Sequence, residues 1–377
     1  MKKVIKSLVV IVAFVAMMFA MAFTTMAVDS ITPTKSVTGR ENAVKKTYTI
    51  TQQNRIEGTY YYGYVIPVTV SEAGTLEIKV DVIKLDKGCE IDLYTDAELK
   101  NVISGSYITL SQGETKKTKY ISLSNKGTYY LFVTCTDYTN NPAFTDTLSF
   151  STRLFTNGDR TIKSGQTITY YRNNGSDNYY FKYKAEKTGK VIVTLPHATG
   201  SYVTLMNSKK KALSEKEWVS SAIGNFKFTF AVKKGATYYF LVNSNGTAYG
   251  NLQSITVKNT AVKAKAGSKK SKAVNIKYNK KAKCLVVPGD KKAKWYKFTL
   301  KKGKKPETVF EGNVTGSVKV QVLNKKGKVI STNTWYGGKS SLKSWGNWTK
   351  GTYYIKITRS NSLSSGIFTI KNKQVKK

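Results

Sequence analysis

Apolar and polar residues alternate along most of this chain in runs of four to eight, so that every second side chain lands on one face of a β-strand. Three such runs recur in a fixed order. One is Ile91-Asp92-Leu93-Tyr94, matched by Val203-Thr204-Leu205-Met206-Asn207 and by Val318-Lys319-Val320-Gln321-Val322-Leu323-Asn324. A later run reads Gly127-Thr128-Tyr129-Tyr130-Leu131-Phe132-Val133, then Ala236-Thr237-Tyr238-Tyr239-Phe240-Leu241-Val242, then Gly351-Thr352-Tyr353-Tyr354-Ile355-Lys356-Ile357. Thr128 and Thr237 are 109 residues apart, and Thr237 and Thr352 are 115 apart. An earlier run, Tyr180-Phe181-Lys182-Tyr183 followed by Gly189, matches Trp295-Tyr296-Lys297-Phe298 followed by Gly303. Its counterpart in the first copy is Val65 to Val70 followed by Gly74. Three landmarks in one order at one spacing mark a threefold internal repeat. Within each Tyr-Tyr pair, alternation puts one ring in the core and the other outside.

Turn residues punctuate the runs at Asn174-Gly175, Pro288-Gly289-Asp290 and Lys326-Gly327. Helical periodicity is nearly absent; only Ala212 to Ser221 leaves room for a short helical turn. Several short strands per copy with glycine turns predict an all-β chain of three tandem jelly-roll-like antiparallel β-sandwiches. The expected boundaries are residues 28–154, 155–260 and 273–377, with a flexible Lys-rich linker over 261–272. Residues 1–27 read as a secretory signal peptide. Lys2, Lys3 and Lys6 form a charged start, Leu8 to Phe23 an apolar run, and Thr25-Met26-Ala27 a small-residue cleavage site. No second long apolar stretch follows, so the mature chain is expected to be secreted, without a transmembrane segment.

These landmarks resemble those of bacterial pre-peptidase C-terminal domains: an aromatic pair entering a strand, "G-x-V", "V-x-L-x-N", and a closing "G-T-Y-Y-x-x-V". The resemblance covers nearly all the mature chain and is tightest in the second and third copies. It implies secreted jelly-roll modules, accessory to exported enzymes and concerned with substrate or surface binding. Related collagenase modules bind calcium or collagen. No catalytic domain is expected ahead of the repeats.

Composition narrows the chemistry. One histidine, His197, excludes metal sites built on two imidazoles, and its Leu-Pro-His-Ala-Thr-Gly setting reads as a solvated loop, so no enzyme activity is expected. The acids Asp86, Glu90, Asp92, Asp96 and Glu98 form the only local acidic concentration. They read either as a Ca²⁺ site built on Asp86, Glu90, Asp92 and Asp96, or as a solvated acidic face. Of three cysteines, Cys89 and Cys135 lie on neighbouring strand candidates where a disulfide is one option, leaving Cys284 over. Trp335, Tyr336 and Trp348 are candidate glycan-stacking residues, with core packing the competing reading, and Trp345 is expected inside.

The formal net charge is +40. Residues 28–154 carry 14 Lys+Arg against 14 Asp+Glu, residues 155–261 carry 15 against 5, and residues 262–377 carry 30 against 3. Lysine outnumbers arginine, and a compact, hydrated ammonium suits diffuse attraction better than specific nucleic-acid readout. The partner expected on charge is an anionic cell-wall polymer or extracellular glycan, held by Lys291, Lys292, Lys294, Lys301, Lys302, Lys304, Lys305, Lys325, Lys326 and Lys328. The competing reading is a lysine-rich solvated surface. A carbohydrate-binding module, or an adhesin-like partner of a separate exported enzyme, are the other readings of function.

Overall fold

The computed structural model describes residues 28–39, 41–56, 61–135, 143–156, 160–172, 178–196, 201–219, 225–244, 251–343 and 348–376. The first 27 residues, His197, Asn174-Gly175 and Trp345 lie outside them. The chain divides into two compact units, Met1–Gly158 and Asp159–Lys377. The described residues form strands joined by turns, with a single three-residue 3-10 turn at Lys270–Lys272. This is an all-β sandwich fold, and each of its three hydrophobic cores lies between two sheets.

The repeated Tyr-Tyr run forms the strands Gly127–Cys135, Thr237–Ser244 and Gly351–Arg359. Each is a central strand of its sheet, here termed the tyrosine sheet. In the second copy its antiparallel neighbours are Asn178–Lys184 and Ser201–Asn207, with Glu217–Val219 at the edge. In the third they are Lys294–Leu300 and Val318–Leu323, with Val329–Trp335 at the edge. In the first they are Gly63–Val70 and Cys89–Tyr94, with Ile108–Leu110 at the edge. The facing sheets repeat too: the order 167–172, 251–261, 189–196, 225–232 in the second copy returns as 281–286, 365–376, 304–315, 338–343 in the third.

Alternation sorts the Tyr pairs. Tyr129, Tyr238 and Tyr353 are buried, while Tyr130, Tyr239 and Tyr354 face outward and are half-buried. Each inner ring keeps a hydroxyl because the turn entering the strand supplies a partner. Tyr129 donates to the Asn125 carbonyl at 2.8 Å, Tyr353 donates to the Thr349 carbonyl at 3.0 Å, and Tyr238 accepts from the Lys233 N–H at 3.0 Å. A phenylalanine would fill the same volume and leave those backbone groups unpaired. The glycine after the first landmark is required by close approach in two copies. A Cβ on Gly74 would lie 2.4 Å from the Phe155 carbonyl oxygen, and one on Gly189 would lie 2.3 Å from that of Thr260.

Two local expectations change. The stretch allowed a helical turn instead forms the edge strand Glu217–Val219, because pairing Trp218 with Tyr202 buries ring surface that a lone helical turn would leave in water. The linker expected to be flexible is tethered at its start and at its middle. The Val262 N–H reaches the Thr188 carbonyl at 3.2 Å, and Gly267 exchanges two backbone hydrogen bonds with Trp295 at 2.9 and 3.0 Å. Beyond it the second and third sandwiches pack within one unit, strand Asn225–Val232 against Ser365–Lys376 and Lys304–Thr315.

Candidate functional site

Strand register divides the ten candidate lysines between opposite ends of the third sandwich. The tyrosine strand pairs Gly351 with Leu300 and Tyr354 with Leu323, so turns 301–303 and 324–328 share one end. It pairs Ile357 with Lys294 and Arg359 with Val318, which sends Lys291, Lys292 and Lys294 to the other. The first end therefore carries Lys301, Lys302, Lys304, Lys305, Lys325, Lys326 and Lys328. The facing sheet adds Lys376, in register with Lys304, and Lys350 precedes Gly351 there. Lys301, Lys302, Lys325, Lys326 and Lys328 are exposed; Lys304 and Lys305 are half-buried.

The carboxylates of residues 262–377 do not offset this end, because each already has its own lysine. Asp290 pairs with Lys294 at 2.5 Å, Glu307 with Lys373 at 2.8 Å, and Glu311 with Lys281 at 3.1 Å. Burial pushes the Asp290 carboxyl up, but the Lys294 ammonium and the Lys292 N–H outweigh it and hold it below its ordinary value. Lys294 is thus committed within the fold and leaves the candidate set. At the basic end, the Lys301 ammonium stands 4.7 Å over the Tyr278 ring, and Lys270 donates to the Lys325 carbonyl at 2.6 Å. Neighbouring ammonium groups within a Debye length of about 8–10 Å add their fields.

The aromatic candidates separate. Trp335 is 4% exposed and Trp348 is 1% exposed, so both are core residues and neither is a surface contact. Trp335 lies opposite Val318 on the inward face, between Phe310 at 5.6 Å and Phe368 at 4.9 Å. Trp348 packs edge-on against the inner Tyr353 at 4.8 Å. Tyr336, one residue beyond Trp335, is 73% exposed and cannot form the expected platform without them.

The acids of the first sandwich do not converge either. Asp86 accepts from Lys84 and from the Thr145 N–H, and these hold its carboxyl low. Glu90 accepts from the Tyr107 hydroxyl, and Asp92 from Ser106. Asp96 accepts from the backbone of Lys100 and Asn101. Among the described residues no group of three His, Cys, Asp or Glu side chains could hold a metal ion, so the Ca²⁺ reading finds no cage there. The fully buried acid was not foreseen. Asp146 accepts the Asp86 and Lys87 N–H groups at 2.6 and 3.2 Å; burial pushes its carboxyl up despite those bonds.

Cys89 and Cys135 are register partners across the tyrosine sheet, and both are thiols, as is Cys284. The Cys135 N–H bonds to Tyr62 on the far side, which makes Cys89 and Cys135 a non-hydrogen-bonded pair, with Cα atoms about 4.5 Å apart in such pairs. Burial, then the nearby Asp146, pushes the Cys89 thiol up, and burial pushes Cys284 up to about 12.

A second aromatic surface escaped sequence reasoning. On the outer face of the second tyrosine sheet, Tyr202 and Trp218 have ring centroids 4.6 Å apart, and Tyr180 and Tyr239 are 6.4 Å apart. The signal was the alternation in Glu217-Trp218-Val219, masked by the helical reading.

No protein-family profile matches the chain, and no curated protein matches it. Among solved structures, tripeptidyl peptidase 2 is similar over 91% of this chain at 10% identity and TM-score 0.25; the match spans only 32% of that peptidase. The triple jelly-roll protein of an archaeal virus turret covers 88% of this chain and 89% of its own at 12% identity, TM-score 0.21. The BSP domain of a biofilm-associated protein covers 90% and 68% at 11% identity, TM-score 0.18. Among the described residues no helix is long and apolar enough to cross a membrane.

Proposed function

We propose that this chain is a non-catalytic, exported binding protein that attaches to an anionic polymer of the cell envelope through the lysine-rich end of its third sandwich. The observation that carries the reading is the cluster of turn lysines at one end of a domain whose every carboxylate is spent on an internal ion pair. A solvated surface with no partner needs no such segregation, since interspersed charges of both signs keep a domain soluble. The resemblance to pre-peptidase C-terminal domains supports an accessory role, and the first 27 residues support export. N-terminal sequencing of secreted protein should then begin at Val28.

The test is retention of the protein on purified cell walls and on polyphosphate across a salt series. Wild-type binding should fall steeply with salt, as released counterions dictate. Replacing Lys301, Lys302, Lys325 and Lys326 with Gln should weaken it roughly tenfold or more at physiological salt. Lys291→Gln with Lys292→Gln, at the opposite end, should change it far less. Equal losses from both sets would reduce the effect to net charge, and undiminished retention of the four-lysine variant would end the proposal.

A further inference from the structure

The outer face of the second tyrosine sheet combines paired aromatic rings, Tyr180 edge-on to Tyr239 and Tyr202 tilted against Trp218, with lysines held over them. Tyr239 stands in register with Lys182 on one side and Met206 on the other. Tyr202 stands opposite Trp218, which is 46% exposed at the sheet edge. The four strands from Tyr180 to Trp218 are three spacings wide, about 14 Å, enough for more than one six-membered ring side by side. No carboxylate occupies an outward position on the three inner strands of this face. Glu217 sits opposite Val203, on the inward side of the edge strand.

The cations are positioned. The Lys210 ammonium lies 4.4 Å from the Tyr180 centroid and 5.4 Å from that of Tyr239, and the Lys216 ammonium lies 5.8 Å from Tyr202. Lys210 reaches there from a turn in which Asn207 accepts the N–H groups of Lys209 and Lys211 at 2.9 and 3.0 Å. Its φ of 57° is left-handed, a conformation that costs a lysine free energy and aims its side chain back over the sheet.

Ring faces favour the flat C–H surface of a sugar, and ammonium groups beside them favour an anion on that same sugar. A polyphosphate lacks the ring, and a neutral glycan leaves the lysines unused. We propose that this face binds an acidic polysaccharide, a chain of pyranose rings bearing carboxylates. Tyr180, Tyr239 and Trp218 stack on the sugar, and Lys210 pairs with its carboxylate. The site deepens the anionic-polymer reading only in the partner's charge and lies on a different sandwich from the lysine end.

The experiment titrates the full chain with polygalacturonate and, separately, with polyphosphate. Tyr180→Ala with Tyr239→Ala should weaken polygalacturonate binding about tenfold, the loss of two ring contacts, and leave polyphosphate binding unchanged. Lys210→Asn suits the left-handed turn and guards against misfolding; it should weaken polygalacturonate alone, by a factor of a few. Trp218→Ala should blunt the change in tryptophan fluorescence on adding polygalacturonate. The four-lysine variant of the third sandwich should lose polyphosphate while keeping residual polygalacturonate binding sensitive to the tyrosines. Loss of both ligands together in the tyrosine variant, or no loss of polygalacturonate in either the tyrosine or the Lys210 variant, would overturn the site.

Discussion

The second and third sandwiches present one face in two chemistries. At equivalent register positions the second carries Tyr202, Leu241 and Trp218 where the third carries Lys319, Lys356 and Thr334. At their centres the inward positions stay apolar, with Phe181, Leu205 and Phe240 against Tyr296, Val322 and Ile355. The inner half of each strand answers to a core that must be filled. On the outer half both repeats keep aromatic rings under lysines, Tyr180 and Tyr239 in the second matched by Trp295 and Tyr354 in the third. They part at the neighbouring positions, where the second adds Tyr202 and Trp218 and the third adds Lys319 and Lys356. The first sandwich takes a third course, with Phe132 flanked by Tyr61 and Tyr94 and with Asp92 in register beside it.

The division between inner and outer positions is broken most forcefully in the third core. Trp348→Ala should cost about 3–5 kcal/mol in denaturant unfolding, because it empties a filled site, whereas Tyr336→Ala should stay within about 0.5 kcal/mol. Similar losses for the two would erase the distinction. A swap of outer faces sharpens the functional half. Giving the second sandwich Tyr202→Lys and Trp218→Thr, and leaving the buried Leu241 in place, should remove roughly tenfold of polygalacturonate affinity and preserve or raise affinity for polyphosphate. Competition between the two polymers on an affinity matrix reads both.

Acid separates the sandwiches by sign. Asp290 titrates below its ordinary value in the fold, so its ion pair stabilises the third sandwich above the unfolded carboxyl's pKa and is lost as pH falls through the lower, folded one. Asp290→Asn should remove that acid limb, seen as amide protection in the third sandwich, taken relative to the intrinsic exchange rate at each pH, that no longer falls on acidification. Asp146 in the first sandwich is raised, so its ionised form is a burden at neutral pH that lightens as pH falls through its folded pKa toward the lower value of the unfolded carboxyl. Asp146→Asn should flatten that gain.

The smallest effect concerns Cys89 and Cys135, whose register places hold Ser201 with Ser244 in the second sandwich and Val318 with Arg359 in the third. Diamide should take two electrons and two protons from the pair and close one disulfide, leaving Cys284 as the single thiol titrated after unfolding. Three thiols remaining would show that the pair stays apart.

Much of the fold was legible because alternation and repetition are properties of the backbone and of water, and both act locally. The landmarks at Ile91, Val203 and Val318 all lie on strands, and the split of each tyrosine pair into an inner and an outer ring followed from a period of two. The candidate sites were less legible. Trp335 and Tyr336 are adjacent in sequence and opposite in exposure, which depends on which edge of the strand faces Phe310 and Phe368. The lysines near 291 and near 301 are ten residues apart, and a single strand carries them to opposite ends.

By itself the sequence determined the all-β class, the threefold repeat, the gradient of charge and that one tyrosine of each pair points inward. These follow from side-chain period and composition, which need no knowledge of distant contacts. Tertiary structure alone decided that seven of the ten candidate lysines share one end of the third sandwich, that Trp335 and Trp348 are core, and that Tyr180, Tyr202, Trp218 and Tyr239 share a face. Each depends on the pairing of strands distant in sequence. Register, set by filling the core, chooses which outward side chains become neighbours.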